Sequence, residues 1–240
     1  MFEITLVDDD GYAGRLKLDA GKVRRFTRLR PSVISISERL RPERRQVESF
    51  LESAYSAAFG GRIRRHYPIL MSVWDQDHVL HAAAGFRFAM AQPLFLEQYL
   101  DAPIEKAAAA ALDVPTARHQ LAEIGNLAAN SPGASMFLFL ALAGYLEQHG
   151  CRYAAATATA QLRRLFRRVG FSTVKLATAD PDRLGERSQD WGSYYDNDPE
   201  VLVGEIAPSF EPLKRSLAAE PPSEAERIAR LHYPVEAPRA

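Results

Sequence analysis

Cysteine is nearly missing from this chain. Cys151 is the only one in 240 residues, which excludes an internal disulfide and a cysteine-built metal site. Long apolar runs are missing too, since the richest stretch, Met136 to Leu146, is far shorter than the ~20 residues of a membrane span. The opening MFEITLVDDD is acidic and lacks the basic-then-apolar layout of a signal peptide, so a reducing, cytoplasmic setting is expected. Net charge is absent as well: 30 Lys/Arg stand against 30 Asp/Glu. No global field therefore draws the chain to nucleic acid or to an anionic membrane. There is no internal repeat. His78 and His81, three apart on an expected strand, point to opposite faces and make no metal site.

What is present reads as an ordinary globular chain, 47% hydrophobic and 25% charged, long enough to bury a core. Residues 1–65 hold 14 Lys/Arg against 9 Asp/Glu, a local excess that fits either a solvated surface or a phosphate-bearing partner. Phe2 to Val7 predicts a strand, and residues 8–41 read as irregular with one strand near Val33–Ile36. Pro42 opens a helix whose apolar positions Val47, Phe50, Leu51, Ala54, Tyr55 and Ala58 follow helical spacing, with Gly60-Gly61 beyond it. Pro68–Val73 and Val79–Phe88 predict an antiparallel hairpin around Asp75-Gln76-Asp77. Two short helices are expected from Pro93 and Pro103.

The most informative stretch is Arg118 to Ser172, read as strand, loop, helix, strand, helix. Leu121–Leu127 is an apolar strand carrying Glu123. Ser131 suits an N-cap and Pro132 a first helical residue. The following helix is apolar nearly all round, so it should be buried on more than one side. Cys151–Thr157 is a small-residue strand. The next helix sets Leu162, Leu165, Phe166 and Val169 against Arg163, Arg164, Arg167 and Arg168. Strands near Phe171–Leu176 and Glu200–Ile206 follow. Six prolines beyond Ala207 predict a tail that wraps the surface or is partly disordered, with one capped helix near Ser223–Leu231. A single domain is thus expected over 1–206, with a tail over 207–240. A hairpin ahead of the alternating elements indicates an α/β or α+β sheet of mixed direction.

Two resemblances arise here. Gly133–Phe171, ending in RLFRRVGF, resembles the core of the GNAT acyltransferase superfamily, whose helix N-terminus holds the pyrophosphate of acyl-CoA. The loop departs from the usual Gln/Arg-x-x-Gly-x-Gly/Ala, as similarly degenerate loops do in acyl-homoserine-lactone synthases. The blocks GFRFA (85–89), PLFLEQYLDAPIE (93–105), EIGNLA (123–128), TATAQLRRLFRRVGF (157–171), ADPDRL (179–184) and WGSYY (191–195) are similar to the thermostable haemolysin family. That resemblance covers about residues 45–206. It implies a GNAT-like fold, a mainly antiparallel mixed sheet flanked by helices, and a thioester co-substrate: acyl-CoA or an acyl carrier protein.

Acylating an amine by a thioester requires a bound acyl donor, a deprotonated amine and a polarised carbonyl. Amides of Gly133, Ala134 and Ser135, with the hydroxyls of Ser131 and Ser135, are candidates for a pyrophosphate. Glu123, inside an apolar strand, should be desolvated and act as a base, unless it pairs with an arginine such as Arg87. Asn126 and Asn130 are candidates to orient substrate or the acyl carbonyl. Glu97 and Asp101, four apart, would share a helix face suited to an acceptor amine, with Arg87 as a partner for them or for a substrate carboxylate. Tyr194 and Tyr195 are equal candidates for the acid that protonates the leaving thiolate. The basic helix face fits a 3′-phosphate, an acidic carrier protein or simply solvent. No metal is expected. The competing readings are a membrane-active protein and a non-catalytic acyl-ligand-binding module. The parting of the Glu123 and Cys151 strands above the 130–135 loop is the geometric test, and an unbroken sheet would remove the acyl-CoA reading.

Overall fold

A computed structural model, describing residues 2–38 and 42–217, shows how the strands and helices assemble. Nine strands form one sheet in the order β2-β1-β3-β4-β5-β6-β7-β9-β8. Their bounds are β1 Phe2–Asp8, β2 Gly11–Leu18, β3 Pro31–Ser37, β4 Ile69–Asp75, β5 Leu80–Phe88, β6 Leu121–Ala129, β7 Tyr153–Ala158, β8 Val174–Thr178 and β9 Glu200–Glu205. Only β1–β3 and β6–β7 pair in parallel; all other neighbours are antiparallel. The mixed, mainly antiparallel sheet read from the sequence is therefore observed.

Strand alternation assigns two covered faces. Ala82, Ala84 and Phe86 of β5 join the core that includes Phe137, Phe139 and Leu142 of helix α4 (Ala134–Gln148). Its eleven buried residues, from Ala134 to Leu146, bear out the expected all-round burial of this helix. Helix α1 (Ala20–Phe26) and helix α5 (Ala160–Val169) contribute to the same core. Helix α6 (Ile206–Leu217) joins them, burying Ile206, Phe210, Leu213 and Leu217 there. The start of the proline-rich segment is thus helical and packed, while the helix expected near 223–231 lies outside the described residues. Ala83 of β5 faces the other way, toward Val47 and Leu51 of helix α2 (Pro42–Phe59). Helix α3 (Ile104–Leu112) and 3-10 turns over 95–99 and 181–197 cover the rest of that face.

The candidate site depends on Arg44 of α2. Its side chain is 5% exposed and donates to the carbonyls of Ser37 (2.7 Å), Pro68 (2.8 Å) and Tyr67 (2.6 Å). Three backbone acceptors are satisfied at once, which fixes the connecting segment 60–68 against the sheet.

Candidate active site

Strands β6 and β7 pair from Leu121–Tyr153 to Ile124–Ala156 and no further. Beyond that point β6 keeps only β5, and β7 only β9. The local cause is a bulge: Asn126 has φ of 47° and the β5–β6 register shifts between Ala83 and Gly85. A bulge bends its strand and re-aims side chains. The parting expected for a thioester-binding sheet is present.

A small cavity of about 30 Å³ occupies the gap, lined among others by Tyr67, Asn126, Thr157, Tyr194 and Tyr195. Asn126 is 5% exposed, and its Nδ2, like the Thr157 Oγ1, is buried without a hydrogen-bond partner. Such orphaned polar groups are costly in a native interior and mark a place where a ligand can complete them. A larger cleft of about 630 Å³ adjoins it, sharing Tyr67, Phe95, Asn126 and Trp191. That size suits a small molecule.

Glu123 lies 1% exposed beside this gap. Its oxygens accept the amides of Phe95 (2.8 Å) and Leu96 (2.9 Å), and Arg87 Nε stands 3.4 Å away, its register partner across β5–β6. The expected arginine pairing is thus found together with a second duty, anchoring the 95–99 turn. Burial pushes the carboxyl above its ordinary value, while Arg87, the two amides and the Tyr67 hydroxyl pull the other way. Tyr67 bridges acid and cavity: it hydrogen-bonds Glu123 and lines both hollows. Burial, with Glu123 adding to it, raises its phenol well above the usual range. Its side chain lies over paired Gly85 and Gly125, where an added Cβ would come within 2.6 Å of the Tyr67 Cβ and 2.3 Å of its hydroxyl. Arg87 stacks 4.6 Å from the ring centroid.

Other expected residues have other surroundings. Glu97 and Asp101 do not share a helix face, because the 3-10 turn ends at Tyr99. Glu97 binds Arg118 with both oxygens (2.6 and 2.9 Å) and accepts the amides of Leu94 and Ile104. Asp101 is 88% exposed and pairs with Arg183. Neither borders the two hollows. Tyr194 donates to the Thr157 carbonyl (3.1 Å), whereas Tyr195 shares a 2.6 Å hydrogen bond with Tyr99. Burial raises all three phenols.

The loop before α4 differs from expectation in detail. Gly133, at φ 83°, is the N-cap, and the helix begins at Ala134 rather than at Pro132. The reason is a non-local contact. Thr27 donates to the Pro132 carbonyl (2.6 Å) and its side chain fills the space of a Gly133 Cβ, so residues 131–134 close a turn first. Within that turn the Ala134 amide goes to Ser131 O (3.1 Å), so Gly133 and Ser135 are the amides of the expected trio outside it. Ser131 Oγ contacts Asn130 Oδ1 (3.1 Å) and His81 Nδ1 (2.7 Å), and His81 Nε2 reaches Asp75 (2.8 Å). Asn130 itself donates to Leu80 O (3.2 Å). Sequence reading missed Tyr67, Tyr99, Thr157 and the His81 anchor; the glycines of GFR and EIGN are the one local sign of the close approach at Tyr67. Among the described residues no group of His, Cys, Asp and Glu is arranged to hold a metal.

The architecture has known counterparts. TofI in an apo form is 14% identical, with 75% of this chain and 95% of that chain covered and a TM-score of 0.53. FeeM, an N-acyl amino acid synthase from uncultured soil microbes, is 16% identical over 75% and 93%, with a TM-score of 0.50. MesI, a CoA-dependent acyl-homoserine lactone synthase, is 14% identical over 72% and 88%, at 0.45. No curated protein sequence matches the chain. Sheet order, strand parting and the likenesses to TofI and FeeM define a GNAT-like fold. Within that class, residues 37–210 match the thermostable hemolysin family model, and the chain belongs to that family.

Proposed function

We propose that the protein transfers an acyl group from a phosphopantetheine thioester, acyl-CoA or acyl carrier protein, to a small primary amine. The observation that carries this reading is the gap between β6 and β7 with two unpartnered polar side chains at it. An extended thioester arm laid in the gap pairs with the free strand edges, and the Asn126 Nδ2 donates to the acyl oxygen, where charge develops in the transition state. Gly133, Ser135 and Ser131 take the pyrophosphate or carrier phosphate, with Asn130 holding the loop.

The amine arrives as an ammonium in the larger cleft and must lose one proton. The Tyr67 hydroxyl takes it while passing its own to Glu123, whose raised pKa suits a base. Nitrogen then bonds to the carbonyl carbon and the C–S bond breaks; the thiolate takes a proton from the Tyr99–Tyr195 pair, which regains one as the nitrogen sheds its second, and the first proton leaves Glu123 for solvent. Tyr194, already donating to Thr157, orients that pair. Glu97 and Asp101 act at a distance, by fixing Arg118 and Arg183. The amino acid acceptor named for FeeM supports a small amine substrate.

The membrane-active reading rests on the family's name. No helix among the described residues is long and apolar enough to cross a membrane. Of the exposed large hydrophobics, Tyr12, Phe26 and Val174 lie on β2, α1 and β8, while Val79 and Met90 lie in the turns on either side of β5. A donor scan with free-thiol readout and product mass tests the proposal. Amine-dependent thiol release is expected, and complete inertness of CoA and carrier thioesters with folded protein would sink it.

A further inference from the structure

The cleft beside Tyr67 is strongly basic. Arg62, Arg64, Arg65, Arg87 and Arg187 line it, and Asp190 is the one acidic lining residue. These arginines come from three separate parts of the chain, the 60–68 segment, β5 and the 181–197 turn. Asp190 is occupied by Arg64 (Nε 2.9 Å, Nη2 2.8 Å), Arg187 reaches the Gln98 amide oxygen, and Arg87 stands by Glu123. Arg62 and Arg65 are exposed and make no ion pair among the described residues. The segment carrying them is not loose: the Arg62 amide binds the Asp190 carbonyl (2.5 Å) and Arg44 grips Tyr67 and Pro68. Five arginines thus line a hollow of about 630 Å³ with cationic charge in excess.

An ammonium entering such a cleft alone is repelled, and a second positive charge on the acceptor worsens this. An anion on the same molecule reverses the sign and supplies a partner with the planar, multiply accepting geometry that arginine favours. We propose that the acceptor amine carries an anionic group, a carboxylate or a phosphate, which Arg62 and Arg65 hold together with Arg187. The amine then lies at the inner end of the cleft, where Tyr67 and Asn126 border both hollows. This rests on the acyl-transfer reading and narrows its acceptor. Bond changes are unaltered: N–C forms, C–S breaks, and the anion is a spectator that fixes position. The local excess of basic residues over 1–65 gains a role for two of its last three members, Arg62 and Arg65.

The test is a matched acceptor series: an α-amino acid, its methyl ester, its decarboxylated amine and an aminoalkyl phosphate, assayed with wild type and with the Arg62→Ala/Arg65→Ala double variant. Wild type should favour one or both anionic acceptors by about tenfold or more in kcat/KM, and the variant should lose most of that preference through KM. The two anionic arms separate carboxylate from phosphate. Equal use of ester, amine and anion would overturn this inference and leave acyl transfer standing. If every donor is inert, calorimetry of an N-acyl amino acid against its neutral amide still decides. Selective binding of the acid, weakened by salt and by the double variant, supports the site; equal binding overturns it.

Discussion

At the residue scale the decisive group is Tyr67, since its hydroxyl reaches the buried carboxylate and its side chain lines both hollows. Tyr67→Phe removes the relay hydroxyl and keeps the ring on its glycine bed. Its kcat should fall on the order of a hundredfold with an unchanged melting curve. Activity equal to wild type would remove Tyr67 from the proton path. Glu123→Gln is the less clean variant. One of its two atoms becomes a donor facing the Phe95 or Leu96 amide, so about 1–3 kcal/mol of stability should go with the activity. Gly125→Ala offers an independent check, because its methyl would come within 2.3 Å of the Tyr67 hydroxyl. We expect its kinetic loss to overlap that of Tyr67→Phe in a double-mutant cycle. Strictly additive losses would mean that the methyl acts elsewhere.

At the scale of elements, α2 and the hairpin β4–β5 were legible because their apolar residues recur at a single period over a long enough window. The strand β6 and the amphipathic α5 were legible for the same reason. Of the stretch 8–41 only the strand near Val33–Ile36, found as β3, was legible, and the reason is physical. β2 is an edge strand, GYAGRLKL, whose glycines and charges dilute the alternation, and α1 has only seven residues, one of them buried. The start of α4 was misjudged because its cap is set by Thr27, 105 residues away. Glu123 could be singled out as a carboxylate among apolar neighbours, but its capture of two amides belongs to a turn that forms only once the sheet has formed. The same non-local logic applies to α2. Arg44→Met leaves the carbonyls of Ser37, Tyr67 and Pro68 without their donor, the first two in buried bonds, and should cost on the order of 3 kcal/mol in chemical denaturation. It should also loosen the 60–68 segment, so that trypsin cuts at Arg62–Arg65 faster than in wild type. A wild-type midpoint would show that water replaces the guanidinium without penalty.

At the scale of the whole molecule, the site is roofed by a segment that an ion pair holds down, and this makes acid stability a property of the fold. Arg118, at the entry to β6, binds Glu97 of the 95–99 turn, Glu105 of α3 and the Ala89 carbonyl. That contact, with the Ile104 and Leu94 amides, pulls the Glu97 carboxyl from its ordinary 4.5 down to about 2. A depressed carboxyl stabilises the fold above its unfolded value, and the contribution is lost as pH falls through the folded one. Asp75 and Glu200 shift in the same direction, held by His81 and by Arg163. Glu123 has the opposite sign: its pKa is raised by burial, so protonating it relieves a cost instead of adding one. Unfolding midpoints should therefore drop between about pH 4.5 and pH 2, followed through Trp191, which packs 5.7 Å from Phe95 on the same roof. Glu97→Gln should be less stable than wild type at neutral pH and lose less over that window. A variant whose acid limb retains the full wild-type slope would show that the Arg118 clasp does not set it.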